Sequence, residues 1–103
     1  MKIWLDDLCD NKGTDRFTPD GFIGCKTALQ ACRLIKTGQV TYISFDHDLG
    51  KEKGFDGYLV ARYIEKLAYY GKISRLGYDI HSSNPVGRDN IVRAMASAER
   101  YWK

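Results

Sequence analysis

Acidic, imidazole and hydroxyl side chains cluster in this sequence directly after three short apolar runs. They are Asp6 and Asp7 after the first run, Asp46, His47 and Asp48 after the second, and His81, Ser82, Ser83 and Asn84 after the third. If the runs are parallel strands, their carboxyl ends meet at one edge of a sheet, where open α/β folds bind their ligands. Side chains of these types hold metal ions, transfer protons and bind phosphate.

Carboxylates are the most numerous of these groups, and the metal ligands that we predict are Asp6, Asp7, Asp46 and Asp48. Carboxylates crowded into one pocket repel one another unless a cation or a shared proton intervenes. Oxygen ligands at this density suit Mg²⁺ or Mn²⁺, and phosphate oxygens often complete the shell of such an ion. The alternative is that one or two of these acids only cap loops or helices.

The two histidines of the chain, His47 and His81, both lie at predicted strand ends. An unperturbed imidazole titrates at about pH 6.5, so two rings facing one phosphate can act as base and acid. The pattern therefore predicts catalytic roles for both rings. The alternative is that hydrogen bonds to nearby acids and backbone make each ring a structural support for its loop.

A phosphate site is predicted where the third run meets the last helix. Its residues are Ser82, Ser83, Asn84, Gly87, Arg88 and, from a separate glycine loop, Lys51. Backbone donors at a helix start favour an anion, a glycine permits close approach, and the two basic side chains add charge-assisted bonds. Taken by itself, this junction also matches an ordinary helix cap.

Strands must alternate with helices to bring these residues together. Strands are predicted over residues 2–5, 22–25, 40–45 and 76–80, and helices over residues 28–37, 58–70 and from Pro85 onward, with a loop over residues 8–20. This alternation predicts βαβ units with right-handed crossovers. The fold class is therefore α/β, with three layers and a small parallel sheet of three to four strands between flanking helices.

Length and composition predict one domain that spans residues 1–103. Apolar residues make up 44% of the chain, and no run reaches the ~20 residues that cross a bilayer. No signal peptide is recognisable, so we expect a cytoplasmic protein with no membrane partner. The three cysteines form no C-x-x-C pair and are expected to be reduced thiols. The net charge of +3 is too small for a surface that binds duplex DNA.

Four segments carry a resemblance to a known family. Residues 2–7, residues 43–50, the Gly57-Tyr58 helix start and residues 81–88 resemble, in order, the cyclic-phosphate processing receiver-like domain family. That family is similar to the receiver domains of two-component response regulators. The resemblance implies a truncated receiver or flavodoxin-like fold. It also implies that Asp6 and Asp7 match the metal-binding pair, Asp46 the phospho-accepting aspartate, and Ser82 the hydroxyl on a following strand.

The chain departs from a receiver domain at several points. The phosphate-contacting lysine of receivers has no counterpart, and residues 8–20 replace the first helix, while His47, Asp48 and His81 are additions. These differences favour metal-assisted hydrolysis of a cyclic phosphate or another phosphate ester, with His81, His47 and Asp46 as catalytic residues. The expected partner is a phosphate-bearing small molecule or an RNA end. One alternative is a binding module without catalysis, and another is a degenerate receiver that contacts proteins through the helix at residues 58–70.

Overall fold

A computed structural model describes residues 1–50 and 54–102 of the chain. Four strands and three helices alternate along these residues. They are β1 (Lys2–Leu5), β2 (Phe22–Cys25), α1 (Ala28–Lys36), β3 (Tyr42–Phe45), α2 (Gly57–Tyr69), β4 (Gly77–Ile80) and α3 (Pro85–Tyr101). The predicted elements are all present; β1 and β2 have the predicted bounds, and no predicted end of the other elements differs by more than two residues.

Each helix begins at a side chain that accepts a hydrogen bond from a backbone amide of the first turn. Thr27 and Gln30 form a reciprocal capping box at α1. Asp56 accepts from the amide of Leu59 at α2, and Asn84 caps α3, with proline at the first helical position. These caps fix where the chain leaves each strand end and turns into a helix.

The four strands form one parallel sheet in the order β2-β1-β3-β4. Leu5 lies beside Cys25 on one side and Phe45 on the other, and Phe45 lies beside Ile80. The four carboxyl ends therefore stop level with one another. This register places the polar residues that follow each strand along a single edge.

One face of the sheet packs against all three helices. Ile3, Leu5, Ile43 and Phe45 point to this face and are fully buried, and they share one core with the buried sides of the helices. Burial of an aliphatic or aromatic side chain of this kind contributes about 1.5–3 kcal/mol. Right-handed crossovers explain the arrangement, because the connections from β2 to β3 and from β3 to β4 run in the same direction across the sheet.

The β1–β2 connection runs in the opposite direction across the sheet, so it crosses the other face. It contains no helix and consists of the loop at residues 6–21. The indole Nε1 of Trp4 donates to the carbonyl of Arg16 in this loop at 2.9 Å, and the Thr18 hydroxyl donates to the carbonyl of Cys9 at 2.8 Å. The loop is thus the third layer of the fold, and it carries Arg16 to the carboxyl edge.

These observations confirm the predicted α/β fold with a small parallel sheet, three flanking helices and receiver-like topology. Within the described residues, Cys9, Cys25 and Cys32 form no disulfide. No helix in this part of the chain combines the length and apolar character that a bilayer span requires.

Candidate functional site

Backbone hydrogen bonds continue beyond the strands and align the residues of the site. The amide of Asp6 donates to the Cys25 carbonyl, that of Asp46 to the Leu5 carbonyl, and that of His81 to the Phe45 carbonyl. Asp6, Asp46 and His81 therefore project from neighbouring strand ends at one level. The close packing of α2 on the end of β3 requires Gly57, where an added Cβ would lie 2.1 Å from the Asp46 carbonyl oxygen.

Asp6, Asp7 and Asp46 form a compact group, which we call the acid triad. One carboxylate oxygen from each lies within 4.8 Å of the others. Asp6 is fully buried and Asp46 nearly so, whereas Asp7 is partly exposed. Asp48, the fourth predicted ligand, is outside this group, and its carboxylate lies 3.0 Å from Nδ1 of His47. The structure thus brings three of the four predicted metal ligands together.

The guanidinium of Arg16 lies at the centre of the acid triad. Its Nη2 atom is 2.8 Å from Asp6 Oδ1, 3.0 Å from Asp7 Oδ1 and 2.5 Å from Asp46 Oδ2. Its Nε–H donates to Asp6 Oδ2 at 2.8 Å. One side chain from the β1–β2 loop therefore supplies the cation that the crowded carboxylates require.

The pKa values of these groups reflect burial and their contacts with Arg16. Burial disfavours the charged form of Asp6, but hydrogen bonds from Arg16, the Leu8 amide and His81 outweigh it and lower the pKa. Burial raises the pKa of Asp46, repulsion from Asp6 adds to the increase, and Arg16 only partly opposes it. The contact with Asp6 raises the pKa of Arg16, so the guanidinium stays charged.

The imidazole of His81 is held on three sides. Its Nε2 atom lies 3.0 Å from Asp6 Oδ2, its Nδ1 atom lies 2.8 Å from Ser44 Oγ, and its ring stacks on Trp4 with centroids 3.9 Å apart. A carboxylate can only accept, so Nε2 carries a proton, and in the neutral ring the Ser44 hydroxyl donates to Nδ1. His81 therefore orients the innermost carboxylate of the triad.

An open pocket of about 480 Å³ lies over the acid triad. Its lining residues are Asp7, Asp15, Arg16, Asp46, Asp48, Gly50, His81 and Ser83. The volume suits a small phosphate ester, and the pocket gives access to Asp7 and Asp46 of the triad, one guanidinium, one imidazole and one hydroxyl. A larger groove of about 740 Å³ runs along α2, away from these groups, and five tyrosines are among its lining residues.

His47 lies at the same edge but on the side of α2 and α3. Its Nδ1 atom is 3.0 Å from Asp48 Oδ1, and its Nε2 atom is 3.4 Å from Asp56 Oδ2. An added Cβ on Gly87 would lie 2.3 Å from Cγ of His47, so the ring fills the space beside this glycine. The two histidines are therefore held by different acids and do not face one common point.

The junction between β4 and α3 uses its polar groups to hold its own backbone. Asn84 Oδ1 accepts from the Gly87 amide at 3.0 Å, and the Ser82 hydroxyl accepts from the Asn84 amide at 3.2 Å. Nη1 of Arg88 donates to the carbonyls of Ile80 and Ser82 at 2.8 and 3.1 Å. The structure pairs these groups with one another and with nearby backbone. Phosphate binding by Ser82, Asn84, Gly87 and Arg88 therefore stays a prediction.

Ser83 and Lys51 are the remaining two residues of the predicted phosphate site. Ser83 is exposed and lines the pocket over the acid triad. Lys51 lies outside the described residues. Among the predicted phosphate-binding side chains that the structure describes, Ser83 is therefore the one that lines the pocket.

A comparison with known protein families shows which family the chain belongs to. The profile of a family described as the cyclic-phosphate processing receiver domain matches residues 1–97. The chain belongs to this family. Searches of curated proteins and of solved structures found no match. The match spans all four strands of this receiver domain, and it includes the acid triad, Arg16 and both histidines.

Sequence reasoning missed Arg16, which makes more contacts with the acid triad of this receiver domain than any other residue named above. The composition of residues 8–20 predicts a polar loop but does not indicate which of its side chains reaches the site. Two observations pointed toward Arg16: the crowded carboxylates need a cation, and a β1–β2 connection without a helix must return past the ends of the strands. Arginine also presents several N–H donors in one plane, which matches more than one carboxylate.

Proposed function

We propose that this receiver domain hydrolyses a cyclic phosphate or a related phosphate ester, bound in the pocket over the acid triad with the help of Mg²⁺ or Mn²⁺. The observation that supports this most is the meeting of Asp7 and Asp46 of the acid triad with Arg16, His81 and Ser83 at one opening. Carboxylates, a guanidinium, an imidazole and a hydroxyl are the groups that phosphate-ester chemistry uses. The family description, which concerns cyclic-phosphate processing, supports the same substrate class.

The acid triad fits the metal ion that receiver-like domains imply. Its oxygens are the ligands that Mg²⁺ and Mn²⁺ prefer, and they lie within 4.8 Å of one another. Asp6, Asp7 and Asp46 would hold the ion, which would polarise a phosphate oxygen and lower the pKa of bound water. The exposed Asp48 is less suited to this task because it contacts His47 instead.

The residues around the triad would bind and orient the ester. Ser83 is exposed on the β4 side of the pocket and would donate its hydroxyl to a phosphate oxygen. His81 would keep Asp6 in position, and its Nδ1 atom can exchange a proton only when the Ser44 hydroxyl turns away. By its position in the family pattern, Asp46 would be the residue that accepts a phosphoryl group.

A second candidate function is binding of a phosphate-bearing ligand without turnover. The observation that favours it is the pairing of the histidines. Both ring nitrogens of His81 and of His47 lie within 3.4 Å of another side chain. Neither ring offers an unpaired nitrogen to a substrate, as a general base requires.

Turnover distinguishes the two functions. We would incubate the protein with 2′,3′-cyclic and 3′,5′-cyclic nucleotides and linear phosphate esters, with Mg²⁺, Mn²⁺ or EDTA, and measure product. The hydrolysis proposal expects metal-dependent turnover that falls at least about 10²-fold in His81→Ala and is lost in Asp46→Asn. Asp89→Asn, on an exposed position of α3, is the control and should keep the parent rate. Ligand binding without product from any ester would support the second function instead.

A further inference from the structure

We propose that Arg16 is an exchangeable counter-ion: a divalent metal ion displaces it from the acid triad, and the released guanidinium then binds the phosphate in the same pocket. This inference rests on the proposed function, because it concerns the same metal and the same ester. It assigns to Arg16 a role that changes with the metal. Without metal, Arg16 neutralises the triad, and with metal it becomes a ligand-binding residue.

The first argument is charge. Three carboxylates surround one guanidinium, so a single positive charge faces up to three negative charges. An ion of charge +2 would neutralise the triad more completely. The triad is therefore stable enough to fold around Arg16 while it retains affinity for a stronger cation.

The second argument is geometry. Nη2 of Arg16 carries two protons, yet carboxylate oxygens of three different residues lie 2.5, 2.8 and 3.0 Å from it. One planar amino group cannot donate a well-aligned hydrogen bond to all three acceptors. A spherical cation has no such directional limit. The arrangement therefore suits a metal ion better than the guanidinium that lies in it.

The third argument is that the side chain can leave without moving the loop. The Arg16 carbonyl accepts from the Trp4 indole at 2.9 Å, and the Arg16 amide donates to Thr14 Oγ1 at 3.2 Å. The Arg16 side chain is nevertheless 38% exposed. Rotation about side-chain bonds can thus carry the guanidinium from the triad into the pocket while the backbone stays in place.

The fourth argument concerns the incoming phosphate. The described lining of the pocket includes four carboxylates, from Asp7, Asp15, Asp46 and Asp48, which repel an anion. Arg16 supplies the one guanidinium or ammonium group in that described lining. Arg88 does not line this pocket, and its Nη1 donates to two backbone carbonyls. A phosphate that enters together with a metal ion would therefore find its second cationic partner in Arg16.

The first test is a Mn²⁺ titration followed by the electron paramagnetic resonance signal of the free ion. We expect Arg16→Gln to bind Mn²⁺ at least ten-fold more tightly than the parent, because no cation has to leave. Arg75→Gln is the matched control, since Arg75 pairs with Glu99 on α3 and should leave the Mn²⁺ affinity unchanged. Equal or weaker binding by Arg16→Gln would overturn the inference while the metal site of the proposed function would stand. Absence of binding in all three proteins would overturn both.

A measurement on the parent protein avoids dependence on a variant that fails to fold. The Nε–H of Arg16 donates to Asp6, so its proton should exchange slowly and be visible in a ¹⁵N-correlated NMR spectrum. Diamagnetic Mg²⁺ should shift this signal and increase its exchange with water. A protected signal that persists when Mg²⁺ is bound would overturn the displacement.

The anion-binding step has its own test, with inorganic phosphate as the probe and saturating Mg²⁺. Isothermal titration calorimetry should show at least a ten-fold loss of phosphate affinity in Arg16→Gln and none in Arg75→Gln. Unchanged phosphate affinity in Arg16→Gln would overturn the second role of Arg16. Neither measurement depends on turnover, so failure of catalysis leaves the outcome readable.

Discussion

The carboxyl edge of the sheet has two halves, and their polar residues serve different purposes. In the half formed by β1, β3 and the β1–β2 loop, the acid triad holds a cation from a distant part of the chain. At the β4–α3 junction, Asn84 and Ser82 bind backbone amides, and Arg88 binds backbone carbonyls. In the first half, three carboxylates face one guanidinium beneath a pocket. In the second half, the side chains of Ser82, Asn84 and Arg88 are already paired with backbone groups.

This contrast shows which kind of sequence pattern indicates a ligand site. Crowded carboxylates repel one another, so their convergence implies a cation or a shared proton between them. A helix start with Ser, Asn, Pro and Gly has a complete structural explanation in capping. The junction therefore contributes the position of Ser83 to the proposed site, and the triad contributes its negative charge.

The largest expected effect is on stability, and it distinguishes substitution of a buried acid from substitution of an exposed one. Asp6→Ala removes the acceptor of the Arg16 Nε–H, the Leu8 amide and His81 at a fully buried position. A buried donor left without its acceptor costs about 1–3 kcal/mol of unfolding free energy, and both the Leu8 amide and His81 lose theirs. Asp48→Ala, at a side chain that is 67% exposed, should stay within about 0.5 kcal/mol.

Urea denaturation of both variants measures this difference. Similar losses in the two proteins would mean that the acid triad is no more integrated into the fold than Asp48, and would remove the distinction between the halves of the edge.

The fold was predictable from the sequence because its determinants are local. The apolar runs, the glycines after the helices and the caps Thr27 and Asn84 mark each element within a few residues. The alternation of strands and helices then leaves few topologies, since crossovers are right-handed. The strand ends, and with them Asp6 and Asp46, followed from the same signals.

The partners of the site residues were not predictable because they depend on contacts between distant segments. Arg16 reaches Asp46 across thirty positions of sequence, and His81 reaches Asp6 across seventy-five. Nothing in the residues near Arg16 distinguishes it from a solvated loop side chain. Similarly, the approach of His47 to Gly87 depends on how α3 lies against the end of β3.

The second prediction concerns the contact between His47 and α3. Gly87→Ala would place a methyl group 2.3 Å from the His47 ring, and overpacking of this kind costs about 1–3 kcal/mol. We expect about 2 kcal/mol by chemical denaturation. The double variant with His47→Ala should recover most of this loss, because the clash needs both groups. Additive losses would show that the ring does not fill this space.

The third prediction examines the helix-covered side of the same edge. Cys25 ends β2 and is buried, and burial together with repulsion from Cys9 raises the pKa of its thiol to about 11, from an ordinary value of 9.0. Between these pH values the unfolded chain releases its proton first, so stability should fall as pH rises above about 9. The expected loss is about 1–2 kcal/mol by pH 11.

Urea denaturation at pH 8, 9, 10 and 11 measures how steeply the free energy of unfolding falls as pH rises. Cys25→Ala is the control, in which the contribution of this thiol should be absent. Identical slopes in the parent and in Cys25→Ala would show that the thiol is not buried as described.

The smallest expected effect decides whether the β4–α3 junction has any role beyond capping. Asn84→Ala should cost about 1 kcal/mol of stability, since it removes the acceptor of the Gly87 amide. Asn84→Ser should recover most of that loss, because serine is also a good helix cap. If capping is the whole role of this side chain, inorganic phosphate with saturating Mg²⁺ should bind Asn84→Ser within about two-fold of the parent, in contrast to the ten-fold loss expected for Arg16→Gln. A ten-fold loss in Asn84→Ser, with stability recovered, would instead place the phosphate at the start of α3 and make both halves of the edge parts of one site.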